Sequence, residues 1–190
     1  SAANMLKIPT LIHEQNAYPG VTTKMLSKKA KRVMLAMEAA RGRMDSSCNF
    51  TLTGNPVRPE IIEASKEASR KALGLDSRPL VVSFGGSMGA RKINENMAPI
   101  IARSGKDKKY QHIHAYGQYG KWFPQLLREQ GTDPDKCDNL DIREYIDNMD
   151  VCMAAADLVI SRAGAITLSE LTVCEKPSVL IPSPYVAENH

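Results

Sequence analysis

Leu80–Phe84 (LVVSF), an apolar run of strand length, passes straight into Gly85-Gly86-Ser87-Met88-Gly89. The stretch behind it sets Ile93, Met97, Ile100 and Ile101 on an i, i+4, i+7, i+8 stripe. A buried strand that turns on glycine into an amphipathic helix is half of a β-α-β unit. The junction recurs where Leu158–Ser161 leads through Arg162-Ala163-Gly164 into a helix expected over 165–174. Further strands are expected at 9–13, 32–37, 50–53, 110–116, 140–145 and 178–182. Helices are expected at 21–31, with Val21, Met25 and Leu26 on one face, and at 60–73, 122–129 and 149–156. This alternation predicts an α/β fold with mostly parallel sheets and crossover helices.

The rhythm breaks once. Gly54-Asn55-Pro56-Val57-Arg58-Pro59 holds two prolines and a glycine in six residues, which can continue neither a strand nor a helix. We therefore expect two Rossmann-like domains, residues 1–58 and 59–190, the first incomplete. With 43% hydrophobic and 24% charged residues the chain can bury cores of this size. The net charge of +4 suits anionic ligands, but it is too dispersed for a nucleic-acid-binding face. Cys48, Cys137, Cys152 and Cys174 lack the short spacings of zinc or redox motifs, and read as reduced thiols. No apolar run approaches the roughly 20 residues that span a bilayer, so any membrane contact is expected to be peripheral.

In open parallel sheets, ligands bind at the carboxyl ends of strands. That rule selects four places. At the Gly85 loop, glycine allows close backbone approach, the next helix offers free amides, and Ser87 adds a hydroxyl, a cradle for phosphate. A tight turn without a ligand accounts for the same spacing. The loop is neither a Walker motif nor a dinucleotide G-x-G-x-x-G. At the Gly164 turn, Ser169 and Glu170 fall in the first turns of a helix. There a carboxylate could reach two ribose hydroxyls, or simply complement the helix dipole. His13-Glu14-Gln15-Asn16 follows the first strand, and part of it would brace the Tyr18-Pro19-Gly20 turn. The Gly54 linker is the fourth place. His112 and His114 share a strand face, but with no third ligand they read as packing rather than as a metal site. Lys28, Lys29, Lys31 and Arg32 form a small basic run, read as a solvated face or a headgroup-facing patch.

Six segments in order resemble the MurG-type UDP-N-acetylglucosamine transferases of peptidoglycan synthesis. They are His13-Glu14-Gln15-Asn16; Gly54-Asn55-Pro56-Val57-Arg58; Gly85-Gly86-Ser87-Met88-Gly89-Ala90; Tyr145-Ile146-Asp147-Asn148-Met149; Ala154-Ala155-Ala156-Asp157; and the run from Arg162 to Glu170. The resemblance implies the GT-B architecture, with the donor in a cleft and held mainly by the C-terminal domain. It implies that Ser87 contacts the donor phosphate, that the Ile146 backbone reads uracil and that Arg58 touches the nucleotide. It also implies that Ala165, Ile166, Thr167, Leu168, Ser169 and Glu170 receive the donor, with Glu170 on the ribose, and that Asn16 is a cleft residue of the N-terminal domain.

The implied reaction is inverting transfer of N-acetylglucosamine from UDP-GlcNAc to the muramyl 4-hydroxyl of lipid I, at the cytoplasmic face of the bacterial membrane. The partners are UDP-GlcNAc, lipid I and the anionic inner-membrane surface, with no nucleic acid, no metal and no cofactor. No Asp-x-Asp pair lies beside the candidate sites, and helix amides could carry the charge of the leaving diphosphate. Relatives begin with a glycine-rich acceptor loop, where the base is expected, and continue past His190 into a glutamine-bearing stretch. Residues 1–190 are therefore expected to be inactive alone. Two rival readings are another GT-B UDP-sugar enzyme and a nucleotide-binding module without catalysis.

Overall fold

The structure, a computed structural model, describes residues 2–183. It divides into two compact units, Ser1–Val57 and Arg58–His190.

The first unit carries helix α1 (Ala2–Met5) and a parallel sheet of β1 (Leu11–Glu14), β2 (Arg32–Leu35) and β3 (Phe50–Leu52), in that spatial order. Val33, Leu35 and Ala40 form its fully buried core. Helix α2 (Val21–Ser27) connects β1 to β2 and stops earlier than expected, because Lys29 and Ala30 already bond back to Leu26 and Ser27 in tight turns. Its stripe is also displaced. Val21 and Met25 are 75% and 71% exposed, whereas Ser27 is buried and Thr23, Leu26 and Ala30 are half-buried. The helix turns the side carrying Thr23, Leu26 and Ser27 inward, so of the expected stripe Leu26 alone is partly covered.

The second unit opens with two helices where one was expected, α3 (Pro59–Glu63) and α4 (Lys66–Ala72). The break falls at Ala64, whose backbone is extended, and at Ser65, whose hydroxyl accepts from the Ala68 amide as an N-cap. Five parallel strands follow: β4 (Leu80–Phe84), β5 (Gln111–Ala115), β6 (Leu140–Arg143), β7 (Leu158–Ser161) and β8 (Ser178–Leu180). Helices α5 (Arg91–Asp107), α6 (Phe123–Glu129), α7 (Met149–Ala155) and α8 (Ala165–Val173) connect them. Several strands end one or two residues short of expectation, because the chain there leaves the ladder for the loops at the sheet's carboxyl end.

On one face of the sheet Leu80, Val82, Phe84, Ile113 and Val159 pack beneath α7 and Leu171 of α8. On the other, Ile93, Met97 and Ile101 of α5 meet Phe123 and Leu127 of α6. Ile100, expected on that stripe, is 47% exposed, since three residues already fill the inward side. His112 and His114 lie on this second face, buried, each within 2.8 Å of the Ser83 hydroxyl. Burial pushes both imidazoles down to about 3, so both are neutral. They are structural side chains, and His114 packs against the Phe123 ring.

The strand order is β6-β5-β4-β7-β8. From β4 the chain adds strands on one side, then returns to add β7 and β8 on the other. The loops after β4 and β7 therefore diverge from adjacent strand ends, leaving a crevice between them.

Candidate functional site

The Gly85 loop leaves β4 at this crevice. A β-carbon on Gly85 would sit 2.5 Å from the Ala90 nitrogen, so only glycine lets the loop fold back on the start of α5. Gly86 and Gly89 take left-handed backbone angles, φ +92° and +83°. The loop is held from outside by the segment after β5. Gln118 and Tyr119 donate backbone N–H bonds to the carbonyls of Ser87 and Met88, at 3.1 Å each. Gly117, with φ +75°, leaves room for the Gly89 backbone, and Asn94 donates to the Tyr116 carbonyl at 2.8 Å. Ser87 keeps its side chain exposed, at the mouth of a 17-residue helix whose N-cap, Ala90, provides no side-chain cap. First-turn amides and the dipole of such a helix favour an anion. Gly117 and its neighbours were missed in the sequence. Their one signal is a glycine at the end of β5, which is meaningful only once β5 is known to lie beside β4.

The second wall is the start of α8. Its N-cap Gly164 has extended backbone and offers no side-chain cap. Unlike Gly85 it faces open space: the nearest atom to an added β-carbon is the Thr167 hydroxyl at 3.8 Å. Ala165, Ile166, Thr167, Leu168 and Ser169 are half-buried along the first two turns, and Ser169 donates to the Ala165 carbonyl at 3.0 Å. Arg162, just before the turn, is engaged elsewhere, donating to the carbonyls of Ile181 and Pro182.

Glu170 is buried, and its carboxylate lies 3.8 Å from the guanidinium of Arg58, the N-cap residue of α3. Burial raises its pKa, and the Arg58 charge opposes that rise. The Ile146 side chain is buried in the core shared by Phe84 and Leu171, so only its backbone is available to a ligand. Arg143 braces this turn, donating to Asn148 Oδ1 at 2.8 Å while pairing with Asp141. Ser87 and the α8 start thus stand on adjacent strands, with Ile146 two strands away on the β6 side.

In the first unit, Glu14 is a brace. Its carboxylate accepts from the Asn16 amide at 3.0 Å and the Gly20 amide at 3.3 Å, which ties down the Tyr18-Pro19-Gly20 turn. His13 Nε2 lies 3.0 Å from the Gly54 carbonyl. Asn16 follows β1, half-buried.

Among the described residues no three His, Cys, Asp or Glu side chains gather as a metal site. The Asp133-Pro134-Asp135 turn precedes β6, at the sheet end opposite the crevice, and both carboxylates pair with Arg128. Asp157 of the alanine-rich segment is structural too. It accepts from the Leu80 amide at 2.8 Å and from Arg70 at 3.1 Å, and pairs with Lys66.

The model of the glycosyltransferase family 28 C-terminal domain matches residues 80–190, and that of the N-terminal domain matches residues 1–35. A relative from Desulforamulus reducens is named UDP-N-acetylglucosamine–N-acetylmuramyl-(pentapeptide) pyrophosphoryl-undecaprenol N-acetylglucosamine transferase. It is 47% identical over 100% of this chain and 51% of its own length. One of the same name from Acetivibrio thermocellus is 47% identical over 99% and 50%. The crystal structure of Acinetobacter baumannii MurG matches with a TM-score of 0.66 and 28% identity, over 100% of this chain and 50% of that one. The Anabaena HepE structure in complex with UDP shares the fold, with a TM-score of 0.59, 15% identity, and 94% and 55% covered. The chain spans about half the length of the relatives it matches.

Proposed function

The chain belongs to glycosyltransferase family 28, and from that premise we propose that residues 59–190 form the UDP-GlcNAc-binding domain of a MurG-type transferase, with residues 1–58 its acceptor-side domain. The reaction is inverting transfer of N-acetylglucosamine to the muramyl 4-hydroxyl of lipid I. The observation that carries this reading is the reversal of strand order between β4 and β7, which sets two helix N-termini without side-chain caps at adjacent strand ends, the second helix carrying the buried Glu170.

On this reading the Ser87 hydroxyl and the first amides of α5 receive the donor diphosphate. The α8 start, Ala165 to Ser169, lines the other side, and Glu170 accepts from the ribose 2′- and 3′-hydroxyls. The Ile146 backbone pairs with uracil, and Arg58 serves the nucleotide. As the anomeric bond breaks, negative charge grows on the leaving diphosphate. Preorganised amides answer it without reorganising, typically the largest single contribution to catalysis of this kind.

No helix among the described residues is long and apolar enough to cross a membrane. Contact with an anionic cytoplasmic membrane surface would fall to α2 and the turn after it, where exposed Val21, Lys24 and Met25 are followed by Lys28 and Lys29.

Calorimetry with UDP, ADP and GDP in the presence of chelator tests the donor site. UDP is expected to bind tightest, with no divalent cation. Equal affinities, or binding abolished by chelator, would refute the assignment.

A further inference from the structure

Glu170 faces two demands that conflict. To accept hydrogen bonds from two vicinal hydroxyls it must be a carboxylate, because a protonated carboxyl would turn one acceptor into a donor. Yet it is a buried residue, and burial disfavours its charge. Among the described residues the cation facing it is Arg58, 3.8 Å away.

The backbone carrying Arg58 is well fixed. Pro59 follows at the first helical position of α3, Ile61 is buried, and the Cys174 thiol donates to the Ile61 carbonyl at 3.7 Å. Cys174 lies one turn beyond Glu170 on α8, so α3 and α8 are joined at two points on one side of each. The guanidinium itself remains more than half exposed, with little packing role.

We infer that Arg58 is a positioning residue: it orients the Glu170 carboxylate and keeps it available as an acceptor for both ribose hydroxyls. The inference rests on the donor-site reading above and extends it, since Arg58 then also acts on the nucleotide through Glu170. Among the described residues the groups facing the carboxylate are Arg58, from the start of α3, and the thiol of Cys174, the C-cap of α8. Burial raises the thiol's pKa, so it stays neutral. Loss of Arg58 therefore removes the charge that opposes the upward shift burial imposes on Glu170.

The test measures UDP-GlcNAc affinity from about pH 5.5 to 8 in the unaltered chain, Arg58→Gln, Arg58→Lys and Glu170→Gln. The sugar nucleotide is chosen because its diphosphate does not titrate in this range. In Arg58→Gln the affinity deficit should grow steadily as pH falls from 8 to 5.5, because burial raises the Glu170 pKa and the opposing charge is gone. Arg58→Lys should restore a flat profile, and Glu170→Gln should be weak at every pH. Carbon-13 NMR of the Glu170 carboxyl, assigned by its loss in Glu170→Gln, should show a higher titration midpoint in Arg58→Gln. A deficit of Arg58→Gln that is equal at all pH values means direct contact with the nucleotide and overturns the inference. So does an unchanged midpoint. If Glu170→Gln binds as well as the unaltered chain, the donor-site reading itself fails, and this inference falls with it.

Discussion

Gly89 and Gly117 meet backbone to backbone: a β-carbon on Gly117 would lie 2.1 Å from the Gly89 nitrogen, and one on Gly89 would lie 2.2 Å from the Tyr116 carbonyl oxygen. Both residues also have positive φ, +83° and +75°, where a side chain is strained even in open space. The phosphate-loop candidate is thus shaped by a partner that lies well away from it along the chain.

Gly117→Ala should therefore displace the Gly85 loop. We expect a stability loss of about 1–3 kcal/mol from the strain, together with weakened UDP binding. Urea unfolding and calorimetry measure both. Normal affinity in a stably folded variant would show that this contact does not shape the binding loop. Gly164→Ala is the contrasting control, since its added carbon meets no protein atom closer than 3.8 Å. It should cost affinity with little change in stability.

Glu170→Ala should weaken UDP binding by about 1.5–3 kcal/mol, the range for hydrogen bonds to charged groups. It should also erase discrimination between UDP and 2′-deoxy-UDP. Thermal stability should change little, because Arg58, the partner left behind, is already well exposed to water. A large stability loss with unchanged UDP affinity would return Glu170 to the role of a charge at a helix start.

The His112–Ser83–His114 chain gives stability a defined pH dependence. Both imidazoles have folded values of about 3, below the ordinary 6.5, so between those limits the unfolded chain binds more protons. Their contribution is fully present above about pH 6.5 and is lost as pH falls towards 3. The slope is roughly 1 kcal/mol per pH unit for each histidine. Urea unfolding from pH 7 to 5 should show it, and His112→Gln/His114→Gln should flatten it. An unaltered slope in the double variant would disprove the assignment.

Asp157 joins α4 to the starts of β4 and β7 through the Leu80 amide, Arg70 and Lys66. Asp157→Ala removes the acceptor for all three and should cost about 1–3 kcal/mol. UDP affinity should be unaffected, since these partners lie at the sheet end opposite the crevice. Lost nucleotide binding without lost stability would contradict this structural role.

The glycine-rich loop and the Gly164 turn were legible in the sequence because each is local, a strand, a turn and a helix in consecutive residues. What tertiary structure decides was not. The break at Ala64–Ser65 depends on a serine choosing a cap over a helix interior. The outward turn of Val21 and Met25, and of Ile100, depends on which side of each helix the sheet meets. Asp157 was legible as part of a motif, but its three partners come from elements that precede it by more than one strand.

The crevice owes its existence to the pairing of β4 with β7, in which Val81 stands beside Leu158 and Phe84 beside Ser161. Two strands and three helices intervene between those partners. That pair closes the longest loop among the β4, β5, β6 and β7 contacts, so it carries the greatest entropic cost and should form late in folding. A folding intermediate with only β4, β5 and β6 assembled would possess the glycine loop but have no second wall for a nucleotide. UDP, binding only where both walls are present, would then slow unfolding more than it accelerates folding.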